Sequence, residues 1–275
     1  MESTATVHVI SSRQRVPVMP ARTSAPQDAA RFATACHTCK LRDLCLPCGL
    51  QEADVARMDD AGFARRRLKR GEALYFAGEA FTSLYAVRSG FFKSNLVFED
   101  GRDHVTGFHM TGEMMGMDGI ETEKHTCDAT ALEDSEVCVI PYARLQQLAR
   151  DIPALQQHFH RVMSREIVRD YGLMLLLGGM RAEERLATFL LNLSRRYAAR
   201  GYSGTHFNLR MTREEIGSYL GLKLETVSRA FSQLQGENLI AVQGKAVEIK
   251  DLARLQQVIG DYDARRRPVH PDAAH

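Results

Sequence analysis

The hydrophobic period changes once along this chain, and that change divides it. From about Phe63 to Ile140 the apolar residues come in short runs, ALYFAGEAF, SLYAVRSGFFKSNLVF, VTGFHMTGEMMG and EVCVI. Gly71, Gly78, Ser89-Gly90, Asp100-Gly101 and Gly112 punctuate them. Short runs separated by turn residues at such intervals are the pattern of an antiparallel sandwich or barrel. After Pro141 the spacing becomes helical, so a β domain of roughly 80 residues is followed by helices and the fold class is α+β.

At 275 residues the chain is long enough for two ordinary domains, each with its own core. Its 44% hydrophobic and 25% charged residues are the balance of a soluble globular protein. The formal net charge is only +2, so any basic surface must be local. Residues 1–20 lack the continuous apolar core of a signal peptide. No later stretch approaches the roughly 18 uninterrupted apolar residues of a membrane span. A cytoplasmic protein with no membrane partner is expected. No G-x-S-x-G, P-loop or paired-carboxylate constellation is present, which argues against an enzyme.

The stretch from about Pro153 to Leu177 is long for a globular helix. Met163, Ile167, Met174 and Leu177, with Asp170 completing the series, alternate spacings of four and three, which is the a/d seam of a coiled coil. Spacing alone fits packing within the chain equally well, but a permanently packed core has no need of Asp170. In a two-fold dimer each Asp170 lies near its symmetry mate, where two carboxylates repel or one takes up a proton. A second stripe, Leu155, Phe159, Val162, Leu173 and Leu176, is interrupted by Glu166 and Arg169 and is expected to pack on the chain's own β domain at its two ends.

Residues 182–200 form another amphipathic helix, ended by Gly201. FNLR at 207–210 reads as a short strand, and Thr212 with Glu215 makes a capping box. That helix stops at Gly221-Leu222, and a second begins near Leu224. Two short helices joined by a tight glycine turn make a helix-turn-helix. LIAVQGKAVEIK then alternates around Gln243-Gly244-Lys245 as a hairpin, which adds a wing.

On the second helix Leu224, Val227, Phe231 and Leu234 make the apolar stripe, and Glu225, Ser228 and Arg229 share the opposite face. Arg can fork to guanine, Glu can accept from cytosine, and Ser adapts to either, so this face suits base edges of double-stranded DNA. Lys223, Arg213 and Lys245 are candidates for phosphate contacts. The same three residues also fit a solvated face with an internal ion pair.

Cys36, Cys39, Cys45 and Cys48 form C-x2-C-x5-C-x2-C, four of the chain's six cysteines. Zinc, an iron-sulfur cluster and redox-active thiols all remain open on this spacing. Zinc usually has a longer loop between its CxxC pairs, and a reducing compartment disfavours a structural disulfide. EVCVI around Cys138 reads as a strand with the thiol on one face, and Cys127 follows His125 in a loop. His104, His109 and His125 read as ordinary loop or strand histidines.

The cysteine loop, SLYAVRSGFFK, GFHMTGE, LNLSRR and MTREEIGSYLGLKLETVSR together resemble the CRP/FNR superfamily of transcription regulators, and within it the oxygen-sensing branch, from about Cys36 to Ile249. The resemblance implies a β-roll (jelly-roll-like) sensor domain, a long dimerisation helix and a C-terminal winged helix-turn-helix. It divides the chain into a flexible arm at 1–30, cysteine loop and β-roll at 31–150, dimerisation helix at 151–180, DNA-binding domain at 181–263 and a tail at 264–275. It implies a 4Fe-4S cluster on Cys36, Cys39, Cys45 and Cys138, leaving Cys48 and Cys127 outside the ligand set. It implies base reading by Glu225, Ser228 and Arg229 at inverted repeats similar to TTGAT, a homodimer when the cluster is loaded, and contact with RNA polymerase, for which the loop from Phe98 to His104 is a candidate. A zinc- or thiol-based redox regulator of the same fold is the alternative. GMDGIETEKHTCDATAL lacks the Arg-Ser pair with which the cyclic-nucleotide branch holds its ligand, so no cyclic nucleotide is expected.

Overall fold

Alternation across the strands sorts the apolar residues into two interiors. The computed structural model describes residues 32–33, 35–98 and 103–266. The expected arm, loop residues 99–102 and residues 267–275 of the expected tail lie outside them, whereas residues 264–266 of that tail are still helical. One antiparallel sheet runs in the order β1 (Phe32–Ala33), β2 (Ala64–Leu68), β9 (Ser135–Pro141), β4 (Ser83–Ser89), β7 (Met114–Met115). The second runs β3 (Ala73–Tyr75), β8 (Asp128–Ala131), β5 (Phe91–Val97), β6 (Asp103–Met110).

Tyr85 and Val87 of β4 and Val137 of β9 point between the sheets, where they meet Leu74, Phe92 and Ala129. Their neighbours Leu84, Ala86, Cys138 and Ile140 point to the other face. That outer face is covered by the cysteine segment and by three helices, α1 (Glu52–Asp60), α2 (Tyr142–Asp151) and the start of α3 (Pro153–Leu177). Gly90 turns β4 into β5 at φ +94°, and a Cβ there would stand 2.0 Å from Ser135 Oγ. Only glycine fits that corner.

The C-terminal part holds α4 (Ala182–Ala198), α5 (Arg213–Leu220), α6 (Leu224–Gly236) and α7 (Leu252–Arg266). A sheet of β10 (His206–Asn208), β12 (Ala246–Ile249) and β11 (Ile240–Gln243) completes it. The capping box is formed: Glu215 N donates to Thr212 Oγ1 at 3.1 Å and Thr212 N to Glu215 Oε2 at 2.7 Å. Gly221 takes the left-handed conformation, φ +63°, that ends α5.

The two parts share a core. Phe91, Val105, Phe108 and Met110 of the second sheet pack into the same cluster as Leu190, Ile216, Leu220 and Phe231. Polar ties run alongside: Val105 N donates to Ser218 Oγ at 2.8 Å, and Lys93 Nζ lies 3.0 Å from Glu215 Oε1. Among the described residues no helix is long and apolar enough to cross a membrane.

Candidate cysteine site, pairing face and nucleic-acid face

The outward face of β9 carries Cys138 up against the segment that begins at Cys36. Cys36, Cys39, Cys45 and Cys138 all line one cavity of about 20 Å³, walled by Leu46, Met58, Phe63, Ala86 and Ile140. Cys48 is absent from this lining and stands on the wall of a different cavity. The segment is tied down by Asp59 of α1, whose carboxylate accepts from the Cys36 and His37 backbone amides and pairs with the His37 ring. Burial raises the Asp59 carboxyl, but those bonds outweigh it and hold it below the ordinary value.

Burial pushes the Cys36 and Cys45 thiols up to about 12, and the neighbouring cysteines push in the same direction. As neutral thiols they are poor nucleophiles, and a bound metal would have to displace their protons. Arg88, at the end of β4, donates through Nη1 to Cys39 Sγ at 3.5 Å and also bonds Cys138. A guanidinium there favours thiolate over thiol. Among the described residues no group of three or more His, Cys, Asp or Glu side chains stands close enough to hold a metal ion. Four sulfurs on one apolar cavity beside a fixed cation nevertheless match an iron-sulfur cluster in donor chemistry. The cavity's size requires the Cys36–Cys45 loop to move outward to admit one.

Cys127 is buried, its thiol pushed up by burial and by Asp118, whose Oδ2 accepts from Sγ at 3.5 Å. His125 stacks on Tyr75 with ring centroids 3.6 Å apart, and His109 Nε2 lies 3.1 Å from Ser94 Oγ. His104 sits half-buried on β6. Asp118 also accepts from Thr126 N at 2.7 Å. A cavity of about 500 Å³ between this region and α3 is lined by Asp118, Glu121, Glu166 and Asp170, with Arg169 and His109. Its charged lining is mainly acidic.

On α3 the residues that leave the chain's own surface are Ile167, Val168, Tyr171 and Met174, each more than half exposed. Asp170 lies exposed among them, its carboxyl raised by burial and partly lowered by Arg169. The ends of the expected seam differ from its middle. Met163 packs partly on the β-domain core, and Leu177 is half-buried against the Gly221 turn. Val168 and Tyr171, off the heptad positions, broaden the face instead. Leu155, Phe159 and Val162 do pack on the β domain, and Leu173 is half-buried beside α4 residues.

Glu113, at the start of β7, is a charge hub that sequence reasoning missed. Its carboxylate accepts from Arg196 Nη2 at 2.6 Å and Arg200 Nη2 at 2.7 Å, and Arg169 Nη1 lies at 3.4 Å. Burial raises this carboxyl, but Arg196, Arg169 and Arg200 outweigh it and bring it down to about 2.

On α6 Val227, Ala230, Phe231 and Leu234 are buried, while Glu225 and Arg229 are exposed and Ser228 is half-buried on one face. Leu224 does not join the apolar stripe: it is 46% exposed, because as the first helical residue it precedes the turn that meets α5. Lys223 and Lys245 are exposed, the latter at the tip of the wing. Arg213 lies over the Phe231 ring, 4.9 Å from its centroid, so it is half-held by the core.

Residues 65–151 match the family model of the cyclic nucleotide-binding domain, and residues 184–258 that of the Crp-like helix-turn-helix domain. Over 248 residues, 90% of this chain and 98% of the relative, the chain is 46% identical to the transcriptional regulatory protein btr of Bordetella pertussis. It is 47% identical over 225 residues to the transcriptional activator protein Anr of Pseudomonas protegens, covering 82% of this chain and 92% of that one. It is 42% identical over 230 residues to the fumarate and nitrate reduction regulatory protein of Yersinia pestis, covering 84% and 92%. Among solved structures, FixK2 from Bradyrhizobium japonicum matches with a TM-score of 0.66 at 30% identity, covering 71% of this chain and 96% of that chain.

Proposed function

The chain belongs to the CRP/FNR family of transcription regulators, and from that premise we propose that it is an oxygen-responsive, cytoplasmic regulator that binds inverted-repeat DNA as a homodimer when a 4Fe-4S cluster is in place. It is a DNA-binding transcription regulator with a winged helix-turn-helix, and its relatives are regulators rather than enzymes. The oxygen response is the finer step.

One observation carries it: Cys138 shares a cavity with Cys36, Cys39 and Cys45, and Cys48 does not. A zinc site closed by the two CxxC pairs would need Cys48 in that place. Cys36, Cys39, Cys45 and Cys138 would hold the cluster, which supplies thiolate-bound iron that oxygen can release. Leu46 and Leu50 of the same segment pack with Leu155 and Phe159 of α3, so the position of the cysteine segment bears directly on the start of the pairing helix. Asp170 opposes pairing by like-charge repulsion, and the tied segment must outweigh it.

In the dimer, two copies of α6 present Glu225, Ser228 and Arg229 to successive major grooves at sites similar to paired TTGAT sequences, with Lys223, Lys245 and Arg213 on phosphates. No cyclic nucleotide enters this scheme. Contact with RNA polymerase near Phe98–His104 is part of the proposal.

The test is the visible spectrum of protein purified without oxygen, then exposed to air, with DNA binding measured before and after. Brown protein containing iron and acid-labile sulfide, losing colour and DNA binding together in air, is expected. Colourless protein with stoichiometric zinc refutes the cluster.

A further inference from the structure

Between the cysteine segment, α3 and α4 lies a cavity of about 560 Å³, within the range of roughly 300 to 1,000 Å³ typical of small-molecule sites. Five guanidinium groups line it, those of Arg165, Arg169, Arg195, Arg196 and Arg200, against the three carboxylates of Asp43, Glu113 and Glu166. Two of those carboxylates are engaged already: Glu113 by Arg169, Arg196 and Arg200, and Glu166 by Arg169. Arg165 and Arg195 have no carboxylate partner among the described residues. The Nε of Arg195 reaches only the Leu191 carbonyl one turn back, at 3.4 Å.

The rest of the lining includes three aromatic rings. Phe108 and Tyr219 have centroids 5.2 Å apart, and Phe189 lies 5.9 Å from each. Free guanidiniums offer forked donors to phosphate. Phe108 and Phe189 are buried in the core, so half-buried Tyr219 is the ring left to meet a flat unsaturated group. The cavity beside Asp118 and Asp170 is lined instead mainly by carboxylates.

We propose that this arginine-lined cavity binds a phosphate-bearing small molecule with a flat unsaturated portion, its phosphate on Arg165 and Arg195 and its flat portion against Tyr219. The walls come from the cysteine segment, the pairing helix and the DNA-binding part. A bound ligand therefore favours the arrangement in which they close around it. The site asks no thiol to bind anything, but Asp43, Leu44 and Cys45 of the cysteine segment form one of its walls, so it is tested in protein without a cluster.

The full chain is titrated calorimetrically with inorganic pyrophosphate and with ADP as probes, in phosphate-free buffer. Both probes bind, ADP more tightly, and the double variant Arg165→Ala/Arg195→Ala weakens both by roughly tenfold or more, as loss of charged hydrogen bonds requires. Both residues are exposed and neither pairs with a carboxylate among the described residues, so the fold is expected to survive. The control Lys223→Ala/Lys245→Ala removes cations from the DNA face and leaves both affinities unchanged. The proposal is overturned if neither probe binds, if ADP binds no better than pyrophosphate, if the arginine variant binds as before, or if the lysine variant abolishes binding.

Discussion

Glu113 and Arg196, 83 residues apart in sequence, meet at 2.6 Å and join the β domain to α4. Arg200 and Arg169 share the same carboxylate, so one acid links the sandwich to both the pairing helix and the DNA-binding part. Its pKa of about 2 lies below the ordinary 4.5, so ionised Glu113 stabilises this arrangement. That stability is fully present above about pH 4.5 and is lost as the pH falls towards about 2. Replacing Glu113 with Gln is expected to cost on the order of 3 kcal/mol at pH 7. Urea unfolding of both proteins checks it, and the difference between them should shrink in acid. An unchanged midpoint at pH 7 would show that the hub contributes nothing.

Asp170 gives a second prediction, on pairing rather than folding. In a dimer through Ile167, Tyr171 and Met174 the two carboxylates approach each other, and their pKa rises further above the monomer's already raised value. A raised carboxyl favours the dimer below its monomer pKa, and this is lost as pH rises through the dimer value. Asp170→Ala should tighten dimerisation at pH 7 by about tenfold, equivalent to about 1.4 kcal/mol. Sedimentation equilibrium measures it. A variant that stays as monomeric as the parent at all pH values removes the pairing face.

Legibility followed range. The Thr212–Glu215 capping box, the Gly221 turn and the alternation along the β11–β12 hairpin could be read because each depends on residues within one turn or one hairpin. Apart from the family resemblance, Cys138 showed only as a thiol on a strand. Its neighbours follow from β9 lying next to β4 under the cysteine segment, a strand order no local pattern encodes. Arg88 and Glu113 carry no local signal of their roles for the same reason, since their partners lie far along the chain. Helix α1, with acids at Glu52, Asp54, Asp59 and Asp60, buries only Val55 and Met58, a stripe too thin to register. Leu224 was placed in the core by period alone, which does not reveal that a first helical residue has no preceding turn to pack beneath.

Two cysteine variants separate the cluster reading from a self-contained CxxC site. Cys138→Ser should lose nearly all iron and sulfide after anaerobic preparation, while Cys48→Ser should keep the parental content, because its thiol faces the other cavity. Iron analysis and the visible spectrum read both. The reverse pattern would transfer the ligand role to Cys48 and restore the symmetrical reading of the loop.

The DNA face makes the last prediction, in which two substitutions must behave differently. Arg229 is exposed on the same face of α6 as Glu225, where a guanidinium can fork to one guanine. Lys245 stands at the tip of the β11–β12 hairpin, where a cation meets phosphate. Arg229→Ala should weaken the cognate site by about 1 to 3 kcal/mol and leave a sequence with the contacted base pair replaced nearly unaffected. Lys245→Ala should weaken every sequence alike and reduce the salt dependence by about one phosphate. Fluorescence anisotropy on both duplexes over a range of salt concentrations distinguishes them. If Arg229→Ala weakens all sequences equally, its side chain lies on the backbone, and base reading falls to Glu225 and Ser228.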